Sequence, residues 1–565
     1  MGAKLSASCL EARGYERERL KFMAVDQLNR CSKAVLKDET QKAKVCKLSL
    51  EAAEIAITKT AFRTAVEYLE SGLTILDHLT RWKARHYENT LRTFLILARM
   101  RLCCGRLESA KAAYEGIFHG AVSLKDQIHA NHVYFIIHLR EGKPKKALNR
   151  VMDLLKEMGE HFPTGDPVES MIFSEVRTLR DKVRARDAKK IMNPPRMQDR
   201  KMVDVMSLLA VMWEVSSHQS LQPNPYQDLA MIRMVHVSLS DGFTRQYPLA
   251  LAVFSTFLAK KRIFKEAMRI GHMAEKTGPY VRLLWQPLHG HVLLAYQPLA
   301  TPYIRDLEPS QNVYNAQSDS GDFQHMEFSI FVYSQYHLAS GFELERLNDN
   351  MILFEGLVED YDFEEDWRVI VPQQIVMSFL AETANPQILF GSTPDDQKAK
   401  IYKMEVARHV DAVDYTYFMR AYVAFFFHEV ELMEFCLKKI SKPMEGIWTP
   451  WEYMLQCIVL IHKLKGSTGK RRKDLKEEIE DKKGQLVDWY NEGCPNPSSM
   501  CSILEAEYHV AKDVGKNSLS SLKVRRLYKE AIDSAKADDN VSLEAYAASR
   551  KGRHVLSQDR YHIVL

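Results

Sequence analysis

The stretch from Leu91 to Met158 constrains the fold of this chain more than any other part of its sequence. It contains two copies of one plan, in which an apolar helical segment is followed by a glycine and then by a second apolar helical segment. The glycines are Gly105 and Gly142, and each is followed five residues later by an alanine, Ala110 or Ala147. The two copies lie 37 residues apart, a spacing typical of helical-hairpin repeats.

The residue types at these positions have a physical reason. Gly105 and Gly142 stand where a helix must end and the chain must reverse, a position that favours a residue free to adopt a positive φ. Ala110 and Ala147 are small where two antiparallel helices would approach most closely. One hairpin cannot bury its apolar face alone, so neighbouring hairpins must stack. The sequence therefore predicts an all-α fold of tetratricopeptide-like helical hairpins stacked as a solenoid. Two unrelated hairpins are the alternative.

Length and composition favour the same class. A chain of 565 residues is too long for one compact core. The 24 glycines and 20 prolines are few for this length, which argues for long helices rather than a turn-rich β fold. The net charge of +5 is small for a chain of this size, so we expect no nucleic-acid partner.

The predicted organisation has four parts. Residues 1–39 form an N-terminal segment, 40–190 the N-terminal tetratricopeptide-like repeats, 200–464 a central set of degenerate repeats, and 475–565 the C-terminal repeats. Asn193-Pro194-Pro195 cannot continue a helix and marks the first internal boundary. The basic stretch 463–476 is predicted to be a flexible loop between helices.

The first residues match a lipidation pattern. In MGAKLSASC, Gly2 would become the N-terminus once Met1 is removed, and Ser6 occupies the position that N-myristoylation requires. Cys9 could carry the second acyl chain that stable membrane anchoring needs. A frayed terminus that matches by chance is the alternative. With nine scattered cysteines and no apolar run of about 18 residues, we expect a cytoplasmic protein, or one held at a membrane through Gly2.

No catalytic motif emerges from the sequence. The phosphate-binding loop, the nucleophile elbow, the H-E-x-x-H zinc motif and the kinase signatures do not occur. His428-Glu429 opens like the phospho-acceptor box of histidine kinases, but Glu431 and Met433 stand where that box continues with Arg and Pro. We therefore predict no catalytic, cofactor-binding or metal-binding residues.

Several segments taken in order resemble a known family. They are AFRTAVEYLESGLTIL, HYENTLRTFLILARMRLCCGRLESAKAAYEGIF and LKDQIHANHVYFIIHLREGKPKKALNRVMDLLKEMGEHFP, followed by LAMIRMVHVSLSDG, FHEVELMEFCLKKI and LYKEAIDSAKADDN. Together they resemble the helical-repeat region of large signalling proteins, in which an AAA/STAND-type ATPase precedes this region and a GAF domain with a histidine kinase or similar output follows it. The resemblance covers roughly residues 40–560, and it implies the middle of such a protein without its ATPase, sensor and kinase domains.

These observations predict a non-catalytic helical-repeat scaffold that binds a protein or peptide partner or relays a conformational signal. The first alternative is a fragment or partner subunit of an ATPase or kinase signalling enzyme. The second is a membrane-tethered adaptor that carries a myristoyl group at Gly2. The sequence does not identify the partner or the oligomeric state.

Overall fold

The structure, a computed structural model, describes residues 14–30, 38–121, 123–163, 168–218, 221, 224–277, 301–320, 323–360, 367–380, 385–391, 393–407, 409–512 and 518–563. These residues fold almost entirely into α-helices and contain no β-strand, so the predicted all-α class is confirmed for them. One isolated bridge pairs Arg196 with Phe243. None of the helices in the described ranges has the length and apolar character needed to span a membrane.

Fourteen helices of the described chain precede residue 278. They are α1 (Gly14–Asn29), α2 (Glu39–Thr58), α3 (Phe62–Ile75), α4 (His78–Arg81), α5 (Ala84–Cys103), α6 (Leu107–Gly120), α7 (Leu124–Arg140), α8 (Pro144–Glu157), α9 (Val168–Ala185), α10 (Ala188–Met192), α11 (Arg200–Ser216), α12 (Pro225–Asp241), α13 (Tyr247–Lys260) and α14 (Phe264–Glu275).

The remaining described helices follow residue 300, together with two short 3₁₀ segments at Tyr303–Asp306 and Gly446–Trp448. They are α15 (Leu307–Ser320), α16 (Phe323–Ser340), α17 (Leu344–Asp360), α18 (Trp367–Phe379), α19 (Pro394–Val406), α20 (Val410–Phe426), α21 (Val430–Leu437), α22 (Thr449–Lys465), α23 (Gly469–Asn491), α24 (Pro497–Lys512), α25 (Ser518–Ala537) and α26 (Val541–Ile563).

Helical hairpins pack in chain order through the first half. The pairs α2–α3, α5–α6, α7–α8, α11–α12 and α13–α14 each form a hairpin. Successive hairpins touch through α3–α5, α6–α7, α8–α11 and α12–α13. Each of these hairpins thus packs against the next one along the chain.

One turn recurs between the helices of these hairpins. At Gly105 (φ 72°) the amide of Arg106 donates to the Arg101 carbonyl at 2.8 Å, and at Gly142 (φ 66°) the amide of Lys143 donates to the His138 carbonyl at 2.8 Å. This is the Schellman pattern of a helix that ends in a left-handed residue. The same left-handed conformation and bond span occur at Thr60, Arg262 and His428, which are not glycines.

The alanine after the turn recurs as well. Ala65, Ala110, Ala147 and Ala267 lie five residues after the left-handed residues Thr60, Gly105, Gly142 and Arg262, and all four alanines are completely buried. A small side chain at this position lets the second helix of the hairpin approach the first closely. The hairpin plan is therefore used at least four times in the described chain.

The apolar core does not follow the order of the chain. One large cluster joins buried residues from 50–137 with buried residues from 303–547, and a second cluster covers 128–274. Helix α2 also contacts α15 directly. The N-terminal hairpins therefore share a core with the second half of the chain.

The α13–α14 hairpin contacts the second half of the chain around its turn. The Arg262 guanidinium donates to the Tyr453 hydroxyl at 2.8 Å, and the ring centroids of Phe264 and Trp489 are 4.4 Å apart. Lys260 pairs with Glu445 at 2.7 Å. These contacts join residues that are between 185 and 225 positions apart in sequence.

The basic stretch 463–476 differs from its prediction. Helix α22 continues to Lys465 and α23 begins at Gly469, so only three residues separate them. The Arg472 guanidinium donates to the Leu464 carbonyl at 2.9 Å and thereby caps the end of α22. The prediction of a flexible loop is wrong because this arginine satisfies the terminal carbonyl of α22 and the charged residues of 470–476 are good helix formers.

Candidate functional site

The residues predicted from the repeat pattern lie at equivalent places in two neighbouring hairpins. Gly105 and Gly142 form the turns, and Ala110 and Ala147 are buried between helices. These four positions shape the two hairpins and place no polar side chain in a common site. Gly2 and Cys9, predicted as lipidation sites, lie outside the described residues.

The most elaborate polar arrangement surrounds Glu507 on α24. Only 3% of Glu507 is exposed, yet its carboxylate has two partners. Arg550 of α26 binds it in a bidentate manner, with Nε–Oε1 and Nη2–Oε2 distances of 2.5 and 2.6 Å, and the Tyr528 hydroxyl of α25 donates to Oε1 at 2.7 Å. Burial alone would raise the pKa of Glu507, but the bonds from Arg550 and Tyr528 hold it below its ordinary value.

Local packing explains why these three side chains meet. Helices α24, α25 and α26 pack against one another, and Ala506, Val524 and Tyr528 form a small apolar cluster beside Glu507. Because α25 and α26 are antiparallel, the first half of α25 lies next to the last half of α26. The buried carboxylate therefore ties three helices together.

More positive charge surrounds Glu507 than its carboxylate can neutralise. We use the name Glu507 cluster for Lys465, Glu507, Arg525, Tyr528, Arg550 and Arg553, together with His428 and His554. Four cations face one carboxylate, so the cluster carries a formal charge of +3 with its histidines neutral. Within the described ranges, Lys465, Arg525 and Arg553 form no ion pair, and the Nε atom of Arg525 is buried without a hydrogen-bond partner.

This positive charge helps to lower the pKa values of the two histidines in the cluster. Burial, and then the charges of Arg553 and Arg550, lower the pKa of His428 to about 4. Burial and the charge of Arg525 lower the pKa of His554. Partial desolvation also lowers the pKa of Lys465, and Arg550 lowers it further against the attraction of Glu507. The cluster therefore disfavours any additional positive charge and favours a negative one.

The geometry limits what the cluster can do chemically. Glu507 is held ionised by a bidentate ion pair, so it is poorly suited to pick up or release a proton near neutral pH. Arg525, Arg553 and Lys465 remain available to hold an anionic group.

A second polar feature is a small cavity between α2, α3 and α5. Its volume is about 20 Å³, room for about one water molecule. His86 lines it, is 4% exposed, and has an Nε2 atom that is buried without a hydrogen-bond partner. The Thr90 and Thr93 hydroxyls, also in the lining, donate to backbone carbonyls at 2.7 Å. The cavity is polar but too small for a cofactor.

The thiols and the metal-ligating residues form no reactive centre in the parts of the chain that the structure describes. Burial raises the pKa of Cys46 and Cys436 to about 11 and that of Cys494 to about 12, so these thiols remain protonated near neutral pH. No group of three or more His, Cys, Asp or Glu residues within these ranges is placed to hold a metal ion.

Exposed apolar side chains concentrate in the middle of the chain. Tyr402 and Val406 lie one turn apart on α19 and are 65% and 66% exposed. Burial raises the pKa of Tyr417, and the charge of Glu405, the neighbour of Val406, raises it further. The ring centroids of Tyr417 and the exposed Phe435 are 6.4 Å apart. We use the name central apolar residues for Ile352, Leu353, Tyr402, Val406, Val410, Phe427 and Phe435.

The Glu507 cluster was not predicted from the sequence, although one signal was available. The run KVRRLYKE in α25 and the run SRKGRH in α26 are both basic, and a hairpin would bring them together. His428, considered as a kinase residue, lies instead in a left-handed helix-ending turn beside Arg550 and Arg553. That turn, rather than catalytic strain, accounts for its positive φ.

Comparison of the chain with protein-family models and with curated proteins finds no match in either case.

Proposed function

We propose that this chain is a non-catalytic scaffold of tetratricopeptide-like helical repeats that binds a partner protein. The observation that carries the proposal is the concentration of exposed apolar side chains between residues 352 and 435. Exposed apolar side chains that lie next to one another on a soluble protein often mark a surface that a partner covers. Tyr402 and Val406, one turn apart on the same face of α19, have the spacing that binds a helix or an extended segment.

The recurring hairpin turn supports the scaffold part of the proposal. Left-handed residues at 60, 105, 142 and 262, each followed by a buried alanine, give four hairpins of the chain the same turn. Stacks of this kind provide long surfaces whose side chains can vary while the backbone stays fixed. The resemblance to the repeat region of STAND-type ATPase and sensor-kinase proteins fits such a role, in which the repeats bind or relay and other domains perform the chemistry.

Affinity purification of the full chain from its own cells, read by quantitative mass spectrometry, tests the proposal. The double variant Tyr402→Lys/Val406→Lys introduces charge into the exposed apolar region, and we expect it to recover about one tenth or less of the wild-type partner. The matched control Phe118→Lys/Phe173→Lys makes the same change at two exposed apolar positions elsewhere, which are 45% and 56% exposed, and should recover the partner fully.

Two results would contradict the scaffold. One is equal partner recovery by wild type and by the Tyr402→Lys/Val406→Lys variant. The other is saturable ATP binding with phosphotransfer by the purified chain alone, which would favour an enzyme.

A further inference from the structure

We propose that the Glu507 cluster binds an acidic segment of the partner protein, and that apolar side chains of the same segment contact Leu522 and Leu556. This proposal rests on the proposed function, because it assigns a chemistry to the partner of the scaffold. Its charged residues differ from Tyr402 and Val406, the two residues altered in the test of the scaffold, so the two proposals can be tested separately.

Part of the positive charge of the Glu507 cluster is not compensated by a carboxylate of the described chain. Arg525, Arg553 and Lys465 have no carboxylate partner within the described ranges, and Glu507 is already occupied by Arg550 and Tyr528. Arg525 is half-buried, and its Nε has no acceptor and so carries a desolvation cost. A carboxylate or phosphate bound by the other nitrogens of this guanidinium would stabilise its charge. The cluster is therefore electrostatically incomplete in the free chain.

Exposed apolar side chains lie near these charged residues on α25 and α26. Leu522 lies three residues before Arg525 on α25, and Leu556 lies three residues after Arg553 on α26. A spacing of three places each leucine on the same helix face as its arginine. Leu522 is 62% and Leu556 is 65% exposed, so two antiparallel helices present arginine and leucine together.

This combination selects the class of ligand. Isolated phosphate would use the arginines but not the leucines, whereas a peptide with closely spaced negative charges and apolar side chains uses both. The negative charges can come from carboxylates or from phosphoserines, because arginine forks bind either group. A nucleic acid or an anionic membrane is a different class of partner, and the test separates them.

Fluorescence anisotropy with the full chain measures the binding. The probes are labelled peptides of equal length that alternate leucine with glutamate or leucine with phosphoserine. We expect at least one probe to bind, with an affinity that falls as salt is raised. The variant Arg525→Glu/Arg553→Glu should weaken that binding by about tenfold or more.

The control Lys145→Glu/Lys156→Glu makes the same change in charge at two exposed lysines of α8, which contributes no residue to the Glu507 cluster or to the central apolar residues. It should weaken binding by about threefold or less if only general attraction is lost. Circular dichroism establishes that both variants are folded before they are compared.

Three results would overturn the proposal: no binding of either peptide, equal weakening by the two variants, or tighter binding of a single-stranded oligonucleotide or of phosphatidylserine vesicles at the same salt. If any of these results is found while Tyr402→Lys/Val406→Lys still loses the partner, the acidic-segment proposal is contradicted but the scaffold proposal is not. Unchanged partner recovery in Tyr402→Lys/Val406→Lys would instead contradict the scaffold proposal itself.

Discussion

At the scale of single residues, the buried His337 and the half-buried His428 are held neutral near pH 7. His337 on α16 is 1% exposed, and its Nδ1 donates to the Phe342 carbonyl at 2.7 Å. Burial lowers the pKa of His337 to about 4, and His428 has a pKa of about 4 for the reasons given above. A histidine in the unfolded chain has a pKa of about 6.5. Between about pH 4 and pH 6.5 the unfolded chain therefore binds more protons than the folded chain.

Stability should therefore fall as the pH drops from about 6.5 toward about 4, and the loss from His337 should be of the order of 3 kcal/mol at most. Asparagine can keep the bond to the Phe342 carbonyl but does not titrate, so His337→Asn should flatten part of this decline. Urea unfolding at a series of pH values measures it, with the exposed His119→Asn as control. If the free energy of unfolding changed with pH in the same way for wild type and His337→Asn, the lowered pKa of His337 would be contradicted.

At the scale of the elements, glycines at helix ends have two separable roles. Gly142 has a φ of 66° and an added Cβ would meet nothing within 4 Å. Gly341 has a φ of 70°, and an added Cβ would lie 2.5 Å from Ser542 Cβ and 2.6 Å from the Ser542 backbone nitrogen. Gly341 therefore allows the turn after α16 to dock against the start of α26, where Asn540 donates to the Ala339 carbonyl at 3.0 Å.

Alanine at these two positions should separate backbone strain from close packing. Gly142→Ala should destabilise the chain by about 1 kcal/mol, the cost of a positive φ for a residue with a Cβ. Gly341→Ala adds a clash with the α26 backbone and should cost roughly 1–3 kcal/mol more. Urea unfolding of both variants gives the difference, and equal losses of stability would mean that α26 does not dock where the structure places it.

These turns show which features of the fold could be predicted from the sequence and which could not. Gly105 and Gly142 were predictable because glycine is the residue that adopts a positive φ at no steric cost. Thr60, Arg262 and His428 adopt the same conformation with a Cβ, so no glycine marked their turns. Buried Ala65 and Ala267, five residues after Thr60 and Arg262, were the remaining signal, and a lone alanine in a helical sequence is too common to identify a repeat.

At the scale of the whole molecule, local rules cannot predict which distant helices meet. The contact of α2 with α15 and that of Arg262 with Tyr453 join segments separated by about 190 residues or more. Periodicity identifies the apolar face of a helix but not the partner that covers it. The Glu507 cluster was missed for the same reason, because its members come from α22, α24, α25, α26 and the turn after α20.

We propose that this chain binds a partner protein through the central apolar residues and the Glu507 cluster. Hydrogen exchange read by mass spectrometry, on the full chain alone and with its co-purified partner, tests this directly. We expect slower exchange on binding in α17, α19, α21, α25 and the last half of α26, with α2 to α8 unchanged. Protection confined to α2–α8, or no protection in any helix, would contradict it.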